Sequence, residues 1–228
     1  VNQSVAFSLS APVFGIGALV FPLRGITIES VSESSNKKLD LVEAGDFFVD
    51  AFWTAKVGGG ARTLSDRQRR QLQQSQTAEF NKRYGNTRRT SELLVVKNKE
   101  EMVACVGVEV DWIPDGSLLG ERDRQAPLMS NLAVSRRFRR RGLAEQLVQA
   151  VEDLVSDEWG YDECVLYVEE RNRAAVRLYE KLGYRRVWQD ASAKTLLPTE
   201  DGDLQSASTV IVCMRKKLNH NFLQRLFL

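Results

Sequence analysis

Five arginines fall within the six positions 136–141, and Gly142, Leu143 and Ala144 follow them. The run lies between an apolar strand, Pro127–Val134, and an amphipathic helix, Ala144–Ser156, whose Ala144, Leu147, Val148, Val151 and Val155 recur at helical spacing. A turn feeding a helix N-terminus aims several unpaired N–H groups at one point, and the helix dipole adds a positive end. A pyrophosphate fits such a place. Gly142 lets backbone approach a ligand closely, and the arginines could hold further phosphates. Charge alone leaves two other readings open, a solvated arginine face and a nucleic-acid patch.

Other chemistries are poorly supplied. The single histidine, His220, lies in the last nine residues, so a Ser-His-Asp triad, a Cys-His dyad or a histidine zinc cage would have to use a tail residue. No metal site is expected. Cys105, Cys164 and Cys213 lie 59 and 49 residues apart inside apolar runs, the pattern of reduced, buried thiols; a reactive thiol would need an electropositive, partly exposed position. A net charge of +2 argues against a dedicated nucleic-acid binder. The length, 228 residues with 43% apolar, suits one globular domain with a terminal extension.

The elements that would hold the turn read as a mixed α/β domain over residues 25–218. Gly25–Ser30 is a short strand. Leu41–Ala55 is helical, with Phe47, Phe48, Ala51 and Phe52 on one face, and Gly58-Gly59-Gly60 breaks the chain after it. Leu64–Tyr84 is a second helix. It lies within a basic stretch, 62–89, with eight Lys/Arg against two acids, which reads as a solvated face or as an attractor of an acidic partner. Glu92–Lys97 and Met102–Val110 form a hairpin across a polar turn. Asp111–Gln125 reads as a loop before the strand Pro127–Val134. Cys164–Val168 is a strand covered on both faces. Arg173–Leu182 is a helix closed by Gly183. Tyr184–Trp188 and Thr209–Met214 are the last strands, with Gln189–Ser208 between them as a polar loop.

Arg139-x-x-Gly142-x-Ala144 resembles the acyl-CoA signature of the GCN5-related N-acetyltransferases. Downstream, Asn172-x-x-Ala175-x-x-Leu178-Tyr179-x-Lys181-Leu182-Gly183-Tyr184 is similar to the second cofactor motif of that family, and the 27 residues between Ala144 and Asn172 match its helix-plus-strand spacer. Val212–Leu218 resembles its last strand. The likeness is strongest over 126–188 and extends over 25–218.

That resemblance implies the family's acyl-CoA N-acyltransferase fold: a mixed, mostly antiparallel sheet whose central strands splay, flanked by helices. It implies acetyl-CoA as co-substrate. Backbone around Leu132, Ala133 and Val134 would pair with the pantetheine arm. The amides of Arg139, Arg140, Arg141, Gly142, Leu143 and Ala144 would hold the pyrophosphate, and Asn172 would bond the pantetheine. Tyr179 would protonate the departing thiolate, since a phenol (pKa about 10) holds its proton better than a thiol (about 8.5). The alternative for Tyr179 is a core aromatic. A bulge near Val134 would polarise the thioester carbonyl, and the acceptor amine would attack directly with both substrates bound.

The base has three candidates. Ala126 and Tyr167 stand where relatives often carry glutamates, leaving Glu109, Asp111 and Glu169 as candidates beside the alternative of solvated carboxylates. The resemblance implies an acceptor site between Trp53–Tyr84 and Gln189–Ser208; a protein or peptide amine, at a lysine or an N-terminus, is the expected acceptor, with small amines left open. Asp46–Trp53 and Ser130–Val134 look most like plant and algal plastid members, which points to a plastid, with the cytoplasm as the alternative. Val1–Leu23 carries no charge. It reads as a transit remnant or a docking arm, with two prolines and two glycines against a membrane span. The tail 219–228, with apolar Phe222–Leu228, has the same character. These ends motivate a second reading, an accessory subunit docked on a larger, membrane-bound complex.

Overall fold

The computed structural model describes residues 26–53, 63–86, 90–114 and 123–219. The expectations for Val1–Leu23, Gly58–Gly60, His220 and Phe222–Leu228 fall outside them. Among the described residues no helix is long and apolar enough to cross a membrane.

Strand β2 (Ser91–Asn98) buries Leu93, Leu94, Val95 and Val96 in succession, because both faces of the sheet are covered there. Its outer neighbour is β1 (Ile26–Ser30). Its inner neighbour is β3 (Glu101–Pro114), reached through the turn at Lys99-Glu100. Next come β4 (Asp123–Val134), β5 (Glu163–Glu169), β9 (Ile211–Lys217) and β6 (Arg185–Asp190), giving one seven-stranded sheet in the order β1-β2-β3-β4-β5-β9-β6. Every pairing is antiparallel except β4–β5.

Alternation along each strand divides the core. Leu94, Val96, Met129 and Leu166 pack with α3 (Leu143–Asp153) and α4 (Arg173–Lys181) on one face. Leu93, Val95, Cys105 and Ala133 pack on the other with α1 (Lys37–Phe48) and α2 (Asp66–Tyr84). A π-helical turn, Val49–Trp53, extends α1, and a second, Leu154–Glu158, extends α3. The three cysteines are free and buried.

Two expected loops are corrected. Asp111–Gln125 is strand at both ends: β3 runs to Pro114, β4 starts at Asp123, and the two pair throughout, Asp111 opposite Ala126. Gln189–Ser208 contains a hairpin, β7 (Lys194–Pro198) and β8 (Leu204–Ser208). It escapes pattern reading because only Thr195 and Pro198 of β7 are buried, so no period of two develops.

Candidate functional site

The central parallel pair is short. β4 and β5 meet at Leu128–Val165 and Met129–Leu166 and then part. The register explains the departure. Cys105 faces Ala133 and Gly107 faces Ser130, so Asn131 and Leu132 together oppose the single residue Val106. This is a bulge, and Asn131 sits at its centre with φ +57°. The expected bulge near Val134 therefore lies three residues earlier. Beyond it, Ala133 and Val134 pair with β3 on one side, and Leu132–Val134 have no β5 partner on the other, where exposed backbone polar groups seek partners. The space is a cleft of about 1240 Å³ passing between β4 and β5.

The arginine-rich turn closes one end of the cleft. Arg140 (φ +61°) and Gly142 (φ +83°) are both left-handed, and such alternation curls successive N–H groups towards one side. Gly142 is the N-cap of α3 and supplies no side-chain cap, so the first-turn amides of α3, from Leu143 onward, are left to a ligand. Arg140, Gly142, Leu143 and Ala144 line the cleft with Leu132, Ala133, Val134 and Arg139. The guanidinium of Arg139 turns inward. It donates from Nε to the Val134 carbonyl at 3.0 Å and from Nη2 to the Ala51 carbonyl at 2.9 Å. Arg141 lies over the Phe138 ring, 5.3 Å from its centroid, and is not among the lining residues. Arg137 pairs with Glu101 at 2.6 Å. Of the five side chains, Arg139 thus braces the turn and Arg140 lines the cleft, while the backbone of the turn supplies amides for an anion.

Tyr179 and Asn172 enter from α4. Tyr179 is buried, edge-on to Tyr184 at 5.8 Å, yet lines the cleft. Burial, and secondly the nearby Cys164, pushes its phenol well above the ordinary value. Asn172 caps α4 by accepting from the Ala175 N–H through Oδ1 at 3.3 Å, so the amide it can offer a ligand is Nδ2.

The expected carboxylates separate. Glu109 accepts from Arg83 Nε at 2.5 Å in a nearly buried pair, and Asp111 is exposed and accepts from the Trp112 N–H at 2.8 Å. Neither is among the lining residues; Glu169 is. Glu169 accepts from Thr195 Oγ1 at 2.9 Å and Arg171 Nε at 2.5 Å. Tyr167 also lines the cleft, 5.5 Å from the Trp188 ring, and burial is the main cause that pushes its phenol up to about 12.

Sequence reasoning missed a polar cluster behind the bulge. Arg83 Nη2 donates to Ser130 Oγ at 2.9 Å, Asn131 Nδ2 donates to the same oxygen at 3.1 Å, and the Tyr84 hydroxyl lies 3.3 Å from it. The cluster binds the end of α2 to β4 where the bulge begins. Gly107 makes room for it: a Cβ there would lie 2.0 Å from Tyr84 Oη. A polar pair, Ser130-Asn131, inside the otherwise apolar run Pro127–Val134 was the available signal.

The Acetyltransferase (GNAT) family matches residues 48–184. A curated relative, GCN5-related N-acetyltransferase 4, chloroplastic, from Arabidopsis thaliana, is 29% identical over 124 residues. That alignment covers 54% of this chain, which spans only 40% of the relative's length. Among solved structures, Arabidopsis thaliana NAA60 in complex with acetyl-CoA superposes with a TM-score of 0.58 at 16% identity, covering 85% of this chain and 99% of that one. The ribosomal-protein-S18-alanine N-acetyltransferase of Escherichia coli gives 0.55 at 20%, covering 85% and 94%. At these identities the structural likeness speaks for the fold.

Proposed function

The chain belongs to the GNAT acetyltransferase family, and from that premise we propose that it transfers an acetyl group from acetyl-CoA to a protein amine, a lysine side chain or an N-terminus. The observation that carries the reading is the convergence on one cleft of the unpaired edge of β4, the amide-rich turn at Gly142 and the Tyr179 hydroxyl.

The residues fit the cofactor. A curl of unpaired amides ending at a left-handed glycine suits a pyrophosphate. The open backbone of Leu132–Val134 and the Nδ2 of Asn172 suit the amide-bearing pantetheine arm. Arg139 orients this cradle through the carbonyls it binds. When bound, acetyl-CoA supplies an acyl group already activated as a thioester, so the protein needs no nucleophile of its own. Tyr179 keeps its proton because burial disfavours the phenolate, and it donates that proton to the leaving sulfur. The amides at the bulge stabilise charge on the acyl oxygen. Two carboxylates line the cleft, Glu145, which pairs with Lys181 beside the anion turn, and Glu169, which is the candidate to receive the proton of the acceptor ammonium. Glu109, held by Arg83, belongs to the scaffold of the bulge.

The acceptor class is supported by the names of two fold relatives, an S18-alanine N-acetyltransferase and NAA60, and a plastid location by the chloroplastic relative. Mass spectrometry of a peptide panel incubated with the protein and acetyl-CoA tests activity and acceptor together, with Gly142→Glu as control. The expected result is acetylation of free amines and loss of acetyl-CoA binding in the variant, whose carboxylate would occupy the anion site. No thermal shift of the intact protein with acetyl-CoA would overturn the reading.

A further inference from the structure

Behind Tyr179 the core holds charge. Tyr179 and Tyr184 meet twice: their rings lie edge-on at 5.8 Å, and the Tyr184 N–H donates to the Tyr179 carbonyl at 2.9 Å. Tyr184 is buried in the turn between α4 and β6, just after Gly183 with φ +92°. Lys216 of β9 lies against that turn. Its ammonium is 5.9 Å from the centroid of the Tyr184 ring, and its stem passes the bare α-carbon of Gly183, where a Cβ would lie 3.7 Å from Cε. Lys216 stands opposite Cys164 in the sheet register, so both side chains leave on the face of α3 and α4. There Lys216 Nζ donates to Glu152 Oε2 of α3 at 2.6 Å. Glu152 is 5% exposed, on a helix whose Val148 and Val151 belong to the same core cluster as both tyrosines.

A buried ion pair is weak evidence for stability, because the cost of drying two charges can exceed their attraction. Here burial raises the pKa of Glu152 although Lys216 opposes it, so the attraction does not fully offset the desolvation. What a charged pair adds over an apolar one is direction: a short charge-assisted bond fixes where Lys216 sits over the ring. Position matters at this spot. Tyr179 lines the cleft, and an acid must stand within hydrogen-bond reach of the atom it protonates. Among the described residues no side chain hydrogen-bonds the Tyr179 hydroxyl, so packing places its ring, and Tyr184 is its aromatic neighbour.

We propose that Lys216 and Glu152 are positioning residues for the acid: their pair clamps Tyr184 between α3 and β9, and Tyr184 holds Tyr179 at the leaving sulfur. Helix α3 begins at the Gly142 cap, so one element sets both the anion cradle and the acid. The inference rests on the proposed role of Tyr179, but the clamp can also be read without turnover.

Lys216→Met alone would strand a buried carboxylate. Glu152→Met combined with Lys216→Met instead replaces the pair by apolar side chains, an exchange that stability tolerates. This double variant should keep the urea midpoint of the wild type and bind acetyl-CoA within twofold, yet lose at least tenfold in kcat. In a Tyr179→Phe background the same double change should alter kcat less than twofold, because no acid is left to misplace. Glu152→Gln, which keeps the shape and one acceptor oxygen, should lose at least threefold in kcat, and again only when Tyr179 is present. An unchanged kcat in the double variant, or an equal loss with and without Tyr179, would overturn the proposal. Hydrogen exchange of the Tyr184 amide should rise at least tenfold in the double variant, and unchanged exchange would overturn the clamp. If Tyr179→Phe by itself leaves kcat intact, the acid role in the proposed function is what fails, with the exchange measurement still deciding the clamp.

Discussion

Arg139 reaches the carbonyl of Ala51, 88 residues earlier, at 2.9 Å. Through this bond the turn that offers amides to an anion is tied to the π-helical end of α1, which forms the facing wall of the cleft. The same guanidinium holds Val134 at the end of β4. Three elements that the chain order keeps apart thus share one planar donor. Burial, reinforced by Arg136, lowers the pKa of Arg139 somewhat, yet a guanidinium remains charged at any working pH.

Arg139→Gln removes the fork while keeping a polar side chain. A charge-assisted bond to a carbonyl contributes about 1.5–3 kcal/mol when shielded, and Arg139 is exposed, so a loss of no more than about 1 kcal/mol is expected. Because the bonds join the cofactor turn to the acceptor-side wall, isothermal titration should show weaker acetyl-CoA binding, and steady-state kinetics a raised acceptor KM. Arg139→Lys should fail to restore either, since one ammonium cannot reproduce the planar fork. A variant changed in neither parameter would refute the coupling.

Tyr179→Phe should lower kcat by roughly 10²–10⁴ with acetyl-CoA affinity preserved, the range for losing a general acid. The direction of the pKa shift adds a sharper test. Burial favours the neutral phenol, so the acid form persists well above pH 10. The pH profile of kcat should therefore have no alkaline fall assignable to Tyr179 below pH 10, and its acidic limb should reflect the acceptor and its base. An alkaline limb near pH 9 that vanishes in Tyr179→Phe would contradict this.

Much of this was legible in residue types. The left-handed turn, the helix behind it and the sticky spacing of Ala144–Val155 follow from glycine placement and apolar period, which are local. Asn172 and Tyr179 fall at one end and one face of α4 for the same reason. What escaped is non-local. No pattern within 83–84 or 107–109 announces that Arg83 will neutralise Glu109, or that Gly107 is bare so that the Tyr84 ring can cross it. Gln68 looks like a solvated helix residue, yet its amide donates to the Thr199 and Asp203 carbonyls beside the hairpin tip. The hairpin itself was hidden because its outward residues are mixed, Lys194 polar and Leu196 apolar, so alternation gave no signal.

Glu109 provides a test of scaffold against base. Its pair with Arg83 is only 12% and 15% exposed, and removing one partner of such a pair costs about 3–5 kcal/mol because the other charge is stranded. Glu109→Gln should lower the unfolding free energy by that order, measured by urea titration, while leaving the pH dependence of kcat in place. Gly107→Ala should be comparably damaging, since the new methyl collides with the Tyr84 hydroxyl and ring and the Ser130 contact must break. A shift of the acidic limb in Glu109→Gln, with stability intact, would return Glu109 to the role of base.

The three thiols give a prediction that concerns folding alone. Burial is the leading cause in each case, pushing Cys105 and Cys164 up to about 12 and Cys213 up to about 11. In the unfolded chain a thiol ionises near 8.5. Between these values the folded protein retains protons that the unfolded chain has released, so folding stability is full below about pH 8 and declines as pH rises. Each thiol contributes a slope of about 1.4 kcal/mol per pH unit in that window. Urea midpoints should thus fall steadily from pH 8 to pH 10.5, and should fall less in Cys105→Ala once its own baseline is subtracted. Native protein at pH 8 should also react with a disulfide thiol reagent at least a hundredfold more slowly than protein in urea, with three equivalents released on unfolding. A thiol that titrates rapidly in the native state would show that one of these sites opens, and a stability independent of pH over the same range would show that the burial assigned to Cys105 and Cys164 is not maintained in solution.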